Sequence, residues 1–257
     1  EMLATAAKLK KRVNKSANNA QSEMKGDFLL RNLVKAKVLT KENKKLGAKY
    51  SLGEQKEKLE HVAPKLDASA SAGTAFVVGN GTSRSAIDIH KLSKHGVVFG
   101  CNGLYRHNTP DYLIAVDVKM ILEINREGYN VHNQVWTNYN KAYENLKNLN
   151  YFKPSKGWSS GPTALHMSTE KGFKVIYILG FDYKGLQDGR RFNNIFSDTN
   201  NYKKSSDGAT YYGNWLKQTK TVIEQNPTVQ YVRVVDHDTF MPPELAKLNN
   251  LRTMRKQ

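Results

Sequence analysis

The chain has 257 residues, enough for one large domain or one domain with an appendage. Its hydrophobic content of 39%, with thirteen Tyr, nine Phe and three Trp, supplies a core, and no apolar run is long enough to span a bilayer. The single cysteine, Cys101, excludes an internal disulfide and any cysteine-built zinc cage, and the formal net charge of +17 points to a polyanionic or phosphorylated partner bound in a salt-sensitive way. No signal-peptide pattern is seen, so a cytoplasmic or virion-associated protein is expected. The first residue is Glu rather than Met, as in a processed chain or a fragment of something longer.

Residues 1–72 read as a basic helical arm and linker. Met2, Leu3, Ala6, Leu9 and Val13 recur at helical spacing among Lys8, Lys10, Lys11, Arg12 and Lys15. Phe28, Leu29, Leu30, Leu33, Val34 and Val38 mark a second amphipathic helix. Residues 40–60 are dense in Lys and Glu and are expected to be helical or loosely ordered. Roughly half of the positive excess lies in this first quarter, which makes residues 1–70 the candidate contact for nucleic acid or an assembly partner. Residues 64–73 read as the linker.

From residue 73 the pattern changes to alternating strands and helices. Ala75–Val78 is a short continuous apolar run, as in a strand buried on both faces, and it enters the turn Gly79-Asn80-Gly81-Thr82-Ser83. A helix is expected from there through Ile87, Ile89 and Leu92, then a strand at Val97–Phe99. Asp111–Val116 is a third strand, ending at Asp117. It is followed by a helix with Met120, Ile121, Leu122 and Ile124 as core positions, closed by Gly128. Gln134–Thr137 is a fourth strand. Ser159-Ser160-Gly161-Pro162 opens a helix, with proline where its missing N–H is harmless. Lys174–Leu179 is the clearest strand in the chain. Residues 184–210 are polar, glycine-bearing and poor in core candidates, as in a lid. A helix over 210–225, a strand over 230–235 and a basic helical tail beyond Pro242-Pro243 complete the pattern. The expected fold class is α/β, a Rossmann-like, mostly parallel sheet with a small lid and an N-terminal basic helical arm.

The chemistry-bearing residues fall at the carboxyl ends of the expected strands, the edge where open α/β sheets bind ligands. These are Asn80, Gly81 and Ser83 after the first, Asn102 after the second, Asp117 after the third, and Asp182 and Tyr183 after the fifth. Ser159, Ser160 and Gly161 lie at a helix start, where free N–H groups favour an anion. The glycine turn lacks both the dinucleotide-binding spacing and a P-loop lysine. None of the seven histidines forms a spaced metal pair, and no cofactor is expected.

Five motifs recur together in a fixed order: Gly79–Ser83, Cys101–Tyr105, Thr137–Asn140, Ser159–Gly161 and Gly172–Tyr183. In them the chain resembles the bacterial sialyltransferases that use CMP-sialic acid (glycosyltransferase family 42) and, more loosely, DUF115/Maf-type glycosyltransferases. The resemblance covers about residues 75–236. It implies a metal-independent sugar transfer from a nucleotide-sugar donor, with Asn80 and Gly81 facing the nucleotide and Asn102 near its phosphate. Ser160 and Gly161 would line the nucleotide pocket, and Asp182 would sit against the base or ribose. Two departures stand out. The family's catalytic-base histidine falls in a Tyr-x-Gly-His pattern, where this chain has Tyr211-Tyr212-Gly213-Asn214. Asn214 accepts no proton near neutral pH, and base catalysis worth about 10²–10⁴-fold would be missing. The family's phosphate-steadying tyrosines are replaced, with Lys184 and Arg190 as cations in the same region. His237, between Asp236 and Asp238, is the one histidine placed to supply a displaced base.

Three readings follow. The first is a nucleotide-binding glycosyltransferase-like enzyme taking a CMP-sugar. The second is a catalytically inactive scaffold, such as a viral protein, whose basic arm binds nucleic acid or a larger assembly such as a virion. The third, a pyrophosphoryl transferase, needs a metal-binding carboxylate pair, for which Asp117 and Asp182 are the candidates.

Overall fold

A computed structural model describes residues 39–42, 49–52 and 73–256. The chain divides into two compact units, Glu1–Glu60 and His61–Gln257. In the first, β1 (Leu39–Glu42) pairs antiparallel with β2 (Lys49–Leu52), Leu39 opposite Leu52. The stretch expected to be helical or loosely ordered therefore contains a two-stranded ribbon. Thr40, Tyr50 and the flanking leucines suit strands better than the lysine count implied. The two expected amphipathic helices and nearly all of the expected linker lie outside the described residues.

The second unit is built on eight strands, all parallel. They are β3 (Thr74–Val78), β4 (Val97–Cys101), β5 (Tyr112–Ile114), β6 (Val135–Thr137), β7 (Asn150–Tyr151), β8 (Val175–Leu179), β9 (Gln230–Val235) and β10 (Leu251–Arg255). Their order across the sheet is β10-β9-β8-β3-β4-β5-β6-β7. From β3 the chain steps outward through β4 to β7, then returns to place β8 on the other side of β3. It next steps outward through β9 and β10. Val78 thus lies beside Gly100 on one flank and Leu179 on the other. The direction of winding reverses between β3 and β8, and this switch point opens a crevice at the carboxyl edge.

Helices cover both faces, which is why the central strands β3, β4, β5 and β8 are apolar runs rather than alternating. They are α1 (Ile89–Leu92), α2 (Val118–Arg126), α3 (Tyr129–His132), α4 (Ser160–Glu170), α5 (Gly213–Gln225) and α6 (Pro243–Ala246). Ala75 and Val77 point into one core with Phe99, Leu165, Ile176, Ile178, Val222 and Tyr231. Phe76 and Val78 point to the opposite face, with Ile89, Val98, Leu104 and Leu179. A third cluster gathers Leu113, Met120, Ile121, Ile124 and Val135 beneath α2. Phe99 stacks on Tyr112 at 4.8 Å and meets Phe173 edge-on at 5.8 Å. Each fully buried aliphatic or aromatic side chain contributes about 1.5–3 kcal/mol.

Several expectations change. The first expected helix breaks into a 3-10 turn, Thr82–Arg84, and the short α1, because Arg84 turns inward to bond the β3 loop. Asp88 restarts the helix by accepting from the His90 N–H. The tail is not simply helical: beyond the short α6 it forms β10, whose exposed side chains carried no apolar pattern. The strand β7 carried too few residues to read. Leu122, expected in the core, is exposed, since α2 turns Met120, Ile121 and Ile124 inward instead.

Residues 184–210 are packed down rather than loose. Phe192 and Phe196 are buried, and the Ile195 N–H bonds the Asn80 carbonyl at 2.8 Å. Arg106 fastens this segment to α2. Its guanidinium grips Glu123 through two bonds of 2.8 Å and also donates to Thr199 Oγ1 and the Asn200 carbonyl. Glu123 further accepts from Tyr105 Oη and Asn201 Nδ2. Burial pushes its carboxyl up, but the bonds from Tyr105, Arg106 and Asn201 outweigh that and hold it below the usual carboxylate range. A depressed folded pKa stabilises above the unfolded value, and this stabilisation is lost as pH falls through the folded value. Glu123→Ala should therefore cost about 1.5–3 kcal/mol at neutral pH. Melting temperatures recorded from pH 7 downward should show the difference between wild type and variant shrinking as Glu123 protonates.

Candidate functional site

A cavity of about 330 Å³ occupies the crevice at the switch point. Its floor is the β3 turn Gly79–Gly81 and the β8 turn Gly180–Tyr183. Asn102 and Asp117 close one side, and the N-terminus of α4 with Trp158 closes another. Asn193, Tyr212 and Trp215 complete the wall. The volume is at the lower end of the ~300–1,000 Å³ typical of small-molecule sites.

The two central turns are tied together by Asp182. This buried carboxylate accepts from the Ser83 N–H at 3.1 Å, from Ser83 Oγ, and from Asn193 Nδ2 at 3.0 Å. Asn193 in turn accepts at 2.9 Å from both the N–H and the hydroxyl of Thr82. Both Asp182 oxygens are thus engaged within the protein, and its first task is structural. Gly81 lets this happen: a Cβ there would stand 2.5 Å from the Asp182 Cγ. Gly180 takes a left-handed φ of 66°, which lets its backbone approach Gly79 closely.

Asn80 also has a tethering role. Its Nδ2 donates to the Cys101 carbonyl at 2.9 Å, joining β3 to β4, and its Oδ1 accepts from Arg84 at 3.1 Å. Arg84 also donates to the Gly79 carbonyl. It is buried with no carboxylate in ion-pair contact among the described residues, and desolvation pushes its guanidinium down to about 10, still protonated at neutral pH. Arg233 mirrors it on β9, donating to the carbonyls of Phe181 and Phe240 from a fully buried position. Cys101 is a core thiol, pushed up to about 12 by burial and therefore inert.

The groups left free face the cavity. The N–H groups of Ser160 and Gly161, in the first turn of the 11-residue α4, have no acceptor among the described residues, and Pro162 has no N–H. Together with the helix dipole they make this corner attractive to an anion. Ser160 Oγ donates to Asn102 Oδ1 at 2.8 Å and accepts from the Val116 N–H, which fixes Asn102 in a left-handed conformation with φ of 49°. Tyr183 is left-handed too, φ 55°, a costlier state for a bulky residue and of the kind that gathers at binding sites. Its hydroxyl donates to Thr219 Oγ1 at 2.8 Å, and this bond and its buried packing hold it there.

Asp117 differs from Asp182 in having no hydrogen-bond or ion-pair partner among the described residues. It is open to solvent at the cavity mouth, yet the surrounding protein raises its carboxyl above the ordinary range by desolvation. The hydroxyl of Tyr212 is buried beside the cavity without a well-aligned partner.

Asn80, Gly81, Asn102, Asp117, Ser159, Ser160, Gly161, Asp182 and Tyr183 all line this cavity, so most of the residues singled out in the sequence converge. Ser83 lies behind it, on Asp182. The four expected catalytic residues do not converge there. Lys184 is exposed and lines a neighbouring cavity, stacked 5.9 Å over Phe240. Arg190 is exposed and bonds the Gln187 carbonyl. Asn214 is on the solvent side of α5, while Tyr212, just before that helix, and Trp215 line the cavity instead. His237 is exposed in the turn after β9. Helical and turn geometry rather than chain order decides which side chains turn inward. Trp158, Asn193, Tyr212 and Trp215 were missed. Trp158 and Trp215 each adjoin a motif residue, and aromatic residues there were the one available signal. No cation lines the cavity among the described residues, and no three His, Cys, Asp or Glu side chains come together as a metal cluster. Comparison with family models, curated proteins and solved structures returns no match.

Gly81→Ala should force the Asp182 carboxylate off Ser83, because the two cannot share the space. The expected loss is about 1–3 kcal/mol of stability, read from denaturant titration, with the overall fold kept by circular dichroism.

Proposed function

We propose that this chain binds a nucleotide-sugar, a CMP-sugar by its resemblance to the sialyltransferases that use CMP-sialic acid, and transfers the sugar without a metal. The observation that carries this reading is the cavity at the switch point, with the unbonded N–H groups of Ser160 and Gly161 at one corner. The donor phosphate would take those N–H groups, which are its main electrostatic support among the described residues. Trp158 and Trp215 offer flat apolar surface to the base, and Asn102 offers its amide to the phosphate or sugar. Asp182 would support the pocket through Ser83 and Asn193 rather than reach the ligand itself.

CMP, UMP, GMP and ADP at millimolar concentration separate the outcomes in a thermal-shift assay. CMP should stabilise the protein most, by about 2.7 kcal/mol at one hundred times its dissociation constant. No stabilisation by any of the four would remove the support for a nucleotide site.

A second reading is favoured by where the cations lie. With none of the described residues bringing a cation to the cavity, and roughly half of the excess charge of +17 in the first quarter of the chain, this reading makes the fold a scaffold whose basic arm binds nucleic acid or an assembly. The logarithm of the affinity for nucleic acid should then fall linearly with the logarithm of salt concentration, and deleting residues 1–70 should flatten the slope. An unchanged slope after deletion would count against the arm.

A further inference from the structure

A second cavity, of about 250 Å³, lies beside the first. It is lined by Val118, Lys119 and Met120 at the start of α2 and by Asn201 and Tyr202 of the packed segment. Asn102 and Asp117 line both cavities, so the two abut at these side chains. The two differ in character. The first has the free N–H groups of α4 and the tryptophans, and the second includes Tyr202, whose hydroxyl accepts from the Gly103 N–H at 2.8 Å. Asn102 is already committed through its Oδ1 to Ser160, whereas the Asp117 carboxylate is committed to nothing among the described residues.

We propose that the second cavity receives the hydroxyl-bearing acceptor and that Asp117, between the two, is the catalytic base. This rests on the nucleotide-sugar reading of the first cavity. The acceptor O–H gives its proton to an Asp117 carboxylate oxygen while the acceptor oxygen forms a bond to the anomeric carbon of the sugar. The bond from that carbon to the phosphate oxygen breaks, and its electron pair leaves with CMP, whose phosphate lies at the Ser160 and Gly161 N–H groups. Nothing is oxidised or reduced. Asp117 thereby fills the role that Asn214, exposed and outside the cavity, does not. Desolvation by the surrounding protein lifts the carboxyl toward the working pH, which makes it a better proton acceptor than a fully solvated aspartate.

The test uses the full chain, CMP-N-acetylneuraminate as donor and lactose as acceptor, with CMP release followed over time and CMP affinity measured separately by calorimetry. Asp117→Asn should melt at the same temperature, because the side chain bonds no protein group among the described residues, and should bind CMP no more weakly than wild type, because it removes a negative charge from the wall of an anion-binding cavity. Its turnover should fall by about 10²–10⁴-fold. The wild-type rate should decline toward acid pH as Asp117 protonates, and the variant should lose that decline. Formate should restore part of the rate of Asp117→Ala, which a purely structural role would not allow. CMP binding with undiminished turnover in Asp117→Asn would overturn the assignment. So would CMP binding by wild type with no CMP release to lactose or water between pH 5 and 8. Failure to bind CMP at all would instead overturn the nucleotide reading on which the assignment rests.

Discussion

The Asp182 carboxylate holds the crevice in its shape. The switch point sets β3 and β8 side by side, but parallel pairing alone stops at Val78 and Leu179 and leaves the two following turns free to diverge. Asp182 prevents this by accepting from both the N–H and the hydroxyl of Ser83 across the gap. Asn193 adds the packed segment to the same knot, bonding Asp182 on one side and Thr82 on the other. Charge-assisted bonds of this kind are about twice as strong as neutral ones, and a buried carboxylate left without them would be costly. Three parts of the chain, around residues 82, 182 and 193, therefore keep one geometry, and the cavity inherits it.

Around this knot the protein separates its charges. The buried guanidinium groups of Arg84 and Arg233 are turned to backbone carbonyls, so they brace the loops without lining the cavity. No other lysine or arginine among the described residues lines it. What remains inside is uncharged backbone N–H at α4, aromatic surface, amides and one unpaired carboxylate. An anionic group is then favoured at a single corner rather than throughout, and a hydroxyl or other donor is favoured near Asp117. That polarity across a few ångströms distinguishes a directed site from a merely hollow one.

Much of this was legible from residue order. Apolar runs bounded by glycine turns gave a parallel α/β sheet, because strands covered on both faces need little polar alternation. Asn80, Asn102, Asp117 and Asp182 stood at the carboxyl ends of those runs and Ser160 at a helix start, where the topology brings them to one edge. Other features lay beyond reach. The edge strand β10 has exposed side chains, so no periodicity marked it. The segment 184–210 looked loose because Phe192 and Phe196 are its two buried aromatic anchors, and two residues make no pattern.

Sequence by itself therefore determined the fold class and the edge on which the polar residues gather, since both follow from short-range hydrophobic patterning and chain connectivity. Tertiary structure alone decided which of those residues are free. Asp117 and Asp182 are the same residue type in equivalent positions, yet one is saturated by Ser83 and Asn193 and the other is open at the mouth of the cavity. The difference lies in partners about a hundred residues away for Ser83 and eleven for Asn193. A hydrogen bond depends on distance in space, and local sequence carries no record of it.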